Sequence, residues 1–441
     1  MSAPPVPGGP PGPFGTGPPA HGSRGPGEGP GPPRREARGS RRGHPAGGLS
    51  LTAPCYVTGI GAVSAFGIGT EALWKGLLSG RTAVSPLRRF DGSGLRSPLV
   101  AEAPDPGGDF PNRTDRLAFA AAREALSSAG LEALPEQAGV ATGAGVGGLP
   151  ESEEAFGAWL AGSARTPSLR TLTRHMPATT ADLLCLAFGA RGPRCAAASA
   201  CASSTTALAL GAAWISLGET DCVLAGGADA LTRMTVGGFN SLRLVASEPP
   251  RPFDRSRSGM AVGEGAAFLV LESFERVRER GARPLAALSG WGLSTDAHHA
   301  TAPHPEGRGA LAALQAALQR AGATAEEVDA VNAHGTGTRA NDSAEAAALV
   351  RLLGRRAPEV PVSSVKGALG HCLGAAGALE AVASVLTILR QTVPPTAGLA
   401  TPEFEGLLLP TAPVERPVGS VLTLNLGFGG HNAALFFRRT P

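Results

Sequence analysis

Three segments of the 441-residue chain set reactive side chains among residues small enough to let a substrate approach. The first is Ser199-Ala200-Cys201-Ala202-Ser203-Ser204, which leads into an Ala/Leu-rich run. A thiol at the start of a helix sits at the positive end of the macrodipole, and this favours thiolate and lowers its pKa. Taken alone the segment leaves two readings open, a nucleophile and a small buried hydrophobe. The second is Val331-Asn332-Ala333-His334-Gly335-Thr336-Gly337-Thr338, running off a strand-like stretch. Its glycines permit close backbone approach, and its threonines offer hydroxyls to a polar ligand. Asp342 and Glu345 follow, and they also read as acids at a helix N-terminus. The third, Ser363-Ser364-Val365-Lys366-Gly367-Ala368-Leu369-Gly370-His371, places a lysine five residues before a histidine in a Gly-rich turn. Lysine occurs only at Lys75 and Lys366 in this Arg-rich chain, so Lys366 is a candidate for chemistry that arginine cannot do. One Cys, two His and one Lys on glycine-rich elements point to a cysteine-nucleophile transferase at a junction of two halves.

The elements that must position these groups alternate between strand and helix. Tyr56–Val63 reads as a strand, Glu71–Ser79 and Arg113–Ala129 as helices, and Gly139–Gly147 as a Gly-rich strand and turn. Cys201–Leu217 reads as a long helix and Asp221–Gly226 as a buried strand; Ala266–Glu272 and Leu285–Leu293 read as a strand pair. The second half repeats the grammar. Helices are expected over Gly309–Ala321, Ser343–Leu353 and Gly374–Arg390, with strands at Val328–Ala333, Pro361–Val365, Ser420–Leu426 and Ala433–Arg438. The class is α/β.

Composition narrows the function. Residues 1–50 hold 14 glycines and 13 prolines, with six arginines against two glutamates. They read as a disordered extension, and the basic balance belongs to them: the formal charge of the chain is +3, that of the remainder −1. The body therefore gives no electrostatic reason to expect nucleic acid. Six scattered cysteines make neither a disulfide framework nor a zinc pattern, and the reducing cytoplasm is the default compartment. The uncharged stretch 195–218 is long enough to resemble a membrane span, but its Ser, Thr and Ala content fits a buried helix. No secretory signal opens the chain. Gly143, Gly145 and Gly148 satisfy G-x-G-x-x-G, yet residues 161–178 offer no second strand for a dinucleotide fold. Neither a P-loop nor a G-x-S-x-G elbow is present.

With these segments in view, the chain from about residue 53 to 439 resembles the elongating β-ketoacyl-acyl carrier protein synthases of the thiolase-like superfamily. The resemblance rests on SACASS, NAHGTGT with ND and AE after it, SSVKGALGH, LGAAG and GFGGHNAA, in that order. It implies a five-layered αβαβα fold from two similar halves, 53–300 and 301–439, usually dimeric. It also implies roles. Cys201 would carry the acyl group, while His334 and His371 would hold the malonyl thioester and promote its decarboxylation. Lys366 would orient the site electrostatically, with Glu345 as its acidic partner. Phe428 would supply an oxyanion N–H beside that of Cys201 and gate the acyl pocket, and Thr336 and Thr338 would bind the phosphopantetheine arm. No metal or redox cofactor is implied. The partners would be acyl carrier protein and a second subunit, either a copy of the chain or a chain-length-factor paralogue, with no membrane.

The chain departs from the fatty-acid members at Ser199, at His431, and in the Leu424-Asn425-Leu426 lead-in, where Asn-Ser-Phe is more usual. These departures and the GTGTxxND pattern lean toward polyketide or polyene ketosynthases. The rivals are a CoA-dependent thiolase, disfavoured because no cysteine follows Cys372, and a non-catalytic chain-length-factor-type subunit, disfavoured by the intact Cys-His-His set.

Overall fold

The computed structural model describes residues 54–110, 112–163 and 168–440; the Gly/Pro-rich segment 1–50, expected to be a disordered extension, lies outside them. Ten strands form one continuous path. They are β1 (Cys55–Ser64), β2 (Gly139–Gly143), β3 (Arg194–Ala197), β4 (Cys222–Asp229), β5 (Gly265–Glu272), β6 (Ala286–Thr295), β7 (Ala330–Asn332), β8 (Val362–Ser363), β9 (Ser420–Gly427) and β10 (His431–Arg438). Their order is β8-β7-β9-β10-β6-β1-β5-β4-β2-β3. The two ends of the path are parallel and the middle is antiparallel.

Ala266–Glu272 and Leu285–Leu293 are both strands, but they do not pair with each other. Gly59–Val63 of β1 pairs with β5, and Cys55–Val57 of the same strand pairs with the start of β6, so β1 lies between them. Tyr56 and Val57 also pair with Glu272 and Leu271 of β5, and a bulge between Val57 and Gly59 shifts the register within that ladder. Although β6 precedes residue 301, its long ladder is with β10, over Ala287–Thr295.

Five helices make the layers: α1 (Arg113–Ser128), α2 (Ser203–Ser216), α3 (Arg308–Arg320), α4 (Arg339–Leu353) and α5 (Ala376–Arg390). α1 lies on β1 and β5, while α3 lies on β6 and β10 with α4 against it. α2 and α5 touch each other between the sheet halves, α2 on β2 and β4, α5 on β5 and β9. Alternation along β1 shows the sandwich directly: Ile60 and Ala62 join the cluster around α2 and α5, and Gly59 and Gly61 face α1. The long apolar helix ending at Arg390 is therefore a core helix; Leu373–Arg390 has the length and composition of a membrane span and is 89% buried inside the protein.

The glycine excess of the body follows from this layering. A Cβ at Gly59 or Gly61 would fall 2.1 Å from the carbonyl oxygens of Ala125 and Ala121. On the neighbouring strand β6, a Cβ at Gly290 or Gly292 would fall 2.1 and 2.0 Å from those of Ala317 and Ala313. β1 and β6 thus each seat an alanine-faced helix on a Gly-x-Gly strand at backbone contact. The G-x-G-x-x-G match has the same cause. Gly143 meets the backbone of Ser203 and Ser204 at the head of α2, and Gly148 meets that of Arg174. Gly145 donates its N–H to Asp229 at 2.9 Å. Replacing Gly143 with Ala is expected to push α2 off β2 and destabilise the fold by about 1–3 kcal/mol. Denaturant unfolding measures this, and an unchanged midpoint would show that the head of α2 has room to move.

Candidate active site

Cys201 occupies a one-turn 3₁₀ segment, Ala200–Ala202, that opens directly into α2. Ala200 is held at φ +50°, a left-handed conformation that a non-glycine residue adopts at a cost of about 1–3 kcal/mol. Ser203 supports the turn, since its hydroxyl accepts the Ser199 N–H at 3.0 Å and donates to the Ala200 carbonyl at 2.6 Å. The end of β9 packs on the same turn: a Cβ on Gly427 would lie 2.6 Å from the Ser199 oxygen. This brings the N–H of Phe428 to the Cys201 sulfur. The helix-start argument anticipated a lowered thiol pKa. Instead, burial pushes it up to about 11, against the opposing pull of Lys366 and the Phe428 N–H. Desolvation outweighs the helix terminus because the thiol is enclosed.

His334 follows β7 on a loop pinned by two buried carboxylates. Glu345 accepts the N–H groups of His334 and Gly335 at 2.6 and 2.8 Å. Asp342 accepts those of Thr336 and Gly337 at 3.1 and 3.2 Å. Both acids lie inside α4, which begins at Arg339, four residues earlier than the apolar pattern suggests. Burial pushes Glu345 up to about 8. Thr336 and Thr338 share a hydroxyl–hydroxyl contact of 2.9 Å at the cavity wall.

Lys366 is buried beneath the histidines. Its ammonium donates to the His334 carbonyl at 2.7 Å and to His334 Nδ1 at 3.1 Å, and it forms an ion pair with Glu380 of α5. Glu345 is therefore not its acidic partner, as the resemblance implied. Glu345 is spent on the backbone of the His334 loop, and the carboxylate on Lys366 comes from the helix that fills the middle layer. Asn425 of β9 donates to Glu380 at 2.6 Å and also lies 3.2 Å from His334 Nδ1.

His371 is fixed by β-like bonds on both sides, its N–H to the Ala261 carbonyl at 2.7 Å and its carbonyl to the Gly263 N–H at 2.8 Å. Its Nδ1 accepts the Leu373 N–H at 3.2 Å, so its proton sits on Nε2. That Nε2 is buried and has no hydrogen-bond partner among the described residues. The two imidazoles stand edge to face, with ring centres 5.3 Å apart. Burial first and Lys366 second hold both well below the ordinary histidine pKa of 6.5, so both are neutral.

One cavity of about 380 Å³ collects these groups: Cys201, His334, Thr336, Thr338, His371 and Phe428 line it. Phe428 stacks at a tilt on Phe239, with centroids 5.6 Å apart, at the same cavity. The site residues absent from the sequence-based candidates are Glu380 and Phe239, while Asn425 stood out only as part of a departure from the fatty-acid members. Glu380 did carry a signal. It is the lone charge in the run 376–389, which is otherwise apolar but for Ser384 and Thr387, and such a charge needs a buried partner of opposite sign. Phe239 carried none.

Comparisons with known proteins give the family. Residues 52–276 match the family described as beta-ketoacyl synthase, N-terminal domain, and residues 285–400 match beta-ketoacyl synthase, C-terminal domain. Nodulation protein E of Rhizobium meliloti (strain 1021) is 38% identical over 397 residues, covering 87% of this chain and 98% of the relative. The 3-oxoacyl-[acyl-carrier-protein] synthase 2 of Coxiella burnetii is 35% identical over 405 residues, with the same coverage. Among solved structures, the ishigamide ketosynthase/chain length factor superposes with a TM-score of 0.83 at 33% identity, covering 88% of this chain and 100% of that one. The AntDE:AntF complex, a type II polyketide acyl-carrier protein with its ketosynthase, gives 0.82 at 26% identity with the same coverage. The chain belongs to the beta-ketoacyl synthase family, the elongating 3-oxoacyl-[acyl-carrier-protein] synthases of fatty-acid and polyketide biosynthesis, and has their thiolase-like α/β fold.

Proposed function

We propose that this chain extends acyl groups by decarboxylative Claisen condensation, with Cys201 as nucleophile and His334 and His371 as the malonyl-binding pair. The observation that supports this most is the meeting of one thiol and two neutral imidazoles in a single cavity, with a His371 Nε2–H that has no partner among the described residues. In the first half-reaction the Cys201 sulfur attacks an acyl thioester. The carbonyl oxygen gathers charge under the N–H groups of Cys201 and Phe428, and the carrier thiol leaves with the cysteine proton. In the second, the malonyl thioester carbonyl sits between the two Nε2–H donors. Loss of CO2 leaves an enolate that those donors stabilise, and its carbon attacks the acyl-cysteine. The product is a β-ketoacyl thioester two carbons longer, and the released Cys201 thiolate takes up a proton from solvent.

Neutral imidazoles suit this role. They donate without leaving a net positive charge in the cavity, and the positive charge of Lys366 beneath them keeps them so. Thr336 and Thr338 are placed to hydrogen-bond the phosphopantetheine arm, and Phe428, stacked on Phe239, to gate the acyl end. We read acyl carrier protein as the donor of both substrates and a second subunit, identical or a chain-length-factor paralogue, as the partner. The intact Cys-His-His set makes this chain the catalytic member of such a pair. The setting is the cytoplasm, and residues 53–300 and 301–439 are the two thiolase-like halves.

Intact-protein mass spectrometry after incubation with an acyl-loaded carrier is expected to show one acyl adduct on Cys201 and none in Cys201→Ala. Normal turnover with an unmodified Cys201 would sink the nucleophile assignment. His334→Ala and His371→Ala are each expected to lower decarboxylation of malonyl-carrier by about 10²–10³-fold. Because both histidine pKa values are lowered, the rings stay neutral as pH falls through 6.5. Decarboxylation by the acylated enzyme should therefore remain level across that range. A rate halved near pH 6.5 would mean that at least one ring titrates normally.

A further inference from the structure

The amide of Asn425 sits where three elements meet, and every group around it has a fixed donor or acceptor role. Its Oδ1 accepts the hydroxyl of Thr205 at 2.5 Å; Thr205 lies in the first turn of α2, four residues past Cys201. Its Nδ2 donates to Glu380 Oε2 at 2.6 Å, leaving the second amide hydrogen toward His334 Nδ1 at 3.2 Å. All of Thr205, Asn425 and Glu380 are fully buried, so water does not compete for these bonds. The orientation of the amide is decided by chemistry. A carboxylate paired with Lys366 only accepts, so the NH2 must face it, and the oxygen then faces the Thr205 hydroxyl. The space is tight as well: a Cβ on Gly377 would fall 1.9 Å from Thr205 Oγ1 and 2.7 Å from Asn425 Oδ1.

His334 Nδ1 thus faces two nitrogen donors, the Lys366 ammonium at 3.1 Å and the Asn425 amide at 3.2 Å. Neither can accept a hydrogen bond. A proton on Nδ1 would point at two N–H groups, so the ring carries its proton on Nε2, on the cavity side. We propose that Asn425, oriented by Glu380 and Thr205, is a positioning residue that holds the malonyl-binding histidine His334 in its Nε2–H form. The proposal deepens the reading of His334 as a malonyl donor and rests on it. Lys366 has three hydrogens for three acceptors, Glu380, the His334 carbonyl and Nδ1, with none to spare. Asn425 keeps Nδ1 occupied when the ammonium leans toward either oxygen.

The test compares the full chain with Asn425→Ala and Thr205→Val in three measurements. These are acylation of Cys201 by mass spectrometry, kcat and KM for malonyl-carrier decarboxylation, and the ¹⁵N shifts of His334 in ¹⁵N-histidine-labelled protein, assigned against His334→Ala. For Asn425→Ala the expectation is acylation within about twofold of the parent, kcat for decarboxylation lowered about tenfold with KM unchanged, and an Nδ1–H population appearing at His334. Thr205→Val keeps the side-chain shape and removes the donor to Asn425 Oδ1, which loosens the amide without reversing it, so it should move the same readouts in the same direction by less. It decides the question if Asn425→Ala does not fold. Equal loss of acylation and decarboxylation, or an unchanged His334 tautomer, would overturn the positioning role. A parent enzyme that acylates Cys201 but never decarboxylates malonyl-carrier would instead overturn the functional reading, and the ¹⁵N shifts would still decide the tautomer.

Discussion

The buried ion pair between Lys366 and Glu380 is the constraint on which the site depends. Removing two charges from water is costly, and the mutual attraction offsets that only when the remaining hydrogen-bonding capacity is met. Here it is met closely. Lys366 also reaches the carbonyl and Nδ1 of His334, and the second oxygen of Glu380 takes the Asn425 amide. The pair therefore spans α5, the His334 loop, the Gly-rich turn before His371 and the end of β9, and none of these could shift without uncovering a charge. Its positive end also lies under both imidazoles and beside the thiol, and there it acts in opposite senses. It opposes protonation of the histidines and favours ionisation of Cys201.

Enclosure decides which of these effects prevails. Burial reinforces Lys366 at the histidines, since both disfavour the imidazolium. At Cys201 burial opposes Lys366 and wins, leaving a protonated thiol in the resting enzyme. The reactive sulfur is thus activated in the course of attack, when charge appears on the thioester oxygen beneath fixed N–H donors. A thiolate standing free in a cavity would be open to oxidation and alkylation, and the protonated resting state avoids this. A second strained turn mirrors the first: Leu373, just past His371, is at φ +51° as Ala200 is at +50°. Asp229 ties this second turn to the loop after β2, accepting N–H groups from Gly145, Val146 and Gly374 at 2.7–2.9 Å.

Much of the architecture was legible along the chain. The alternation of strands and helices, the buried character of α2 and α5, and the reactive residues Cys201, His334, Lys366 and His371 can all be read from local pattern. Local pattern carries these because each rests on neighbours in sequence, such as small residues beside a reactive group or an apolar run bounded by glycine. Strand neighbours are different. β5 and β6 are close in sequence, yet β1, more than 200 residues away, inserts between them because its alternating faces match both layers. The start of α4 was also hidden, since Asn341 and Asp342 look like loop residues until their buried partners are in place.

The identity of the reacting groups is thus a property of the sequence, and their state of charge is a property of the tertiary structure. A Cys before an Ala-rich helix and a Lys five residues from a His are visible without coordinates. That the lysine answers to Glu380 and not Glu345, that the thiol is protonated and the imidazoles neutral, and that Asn425 faces His334, depend on which chain segments share a dry interior. Desolvation and pairing act through space over a few ångströms, and the residues that meet there lie up to 220 positions apart in the chain.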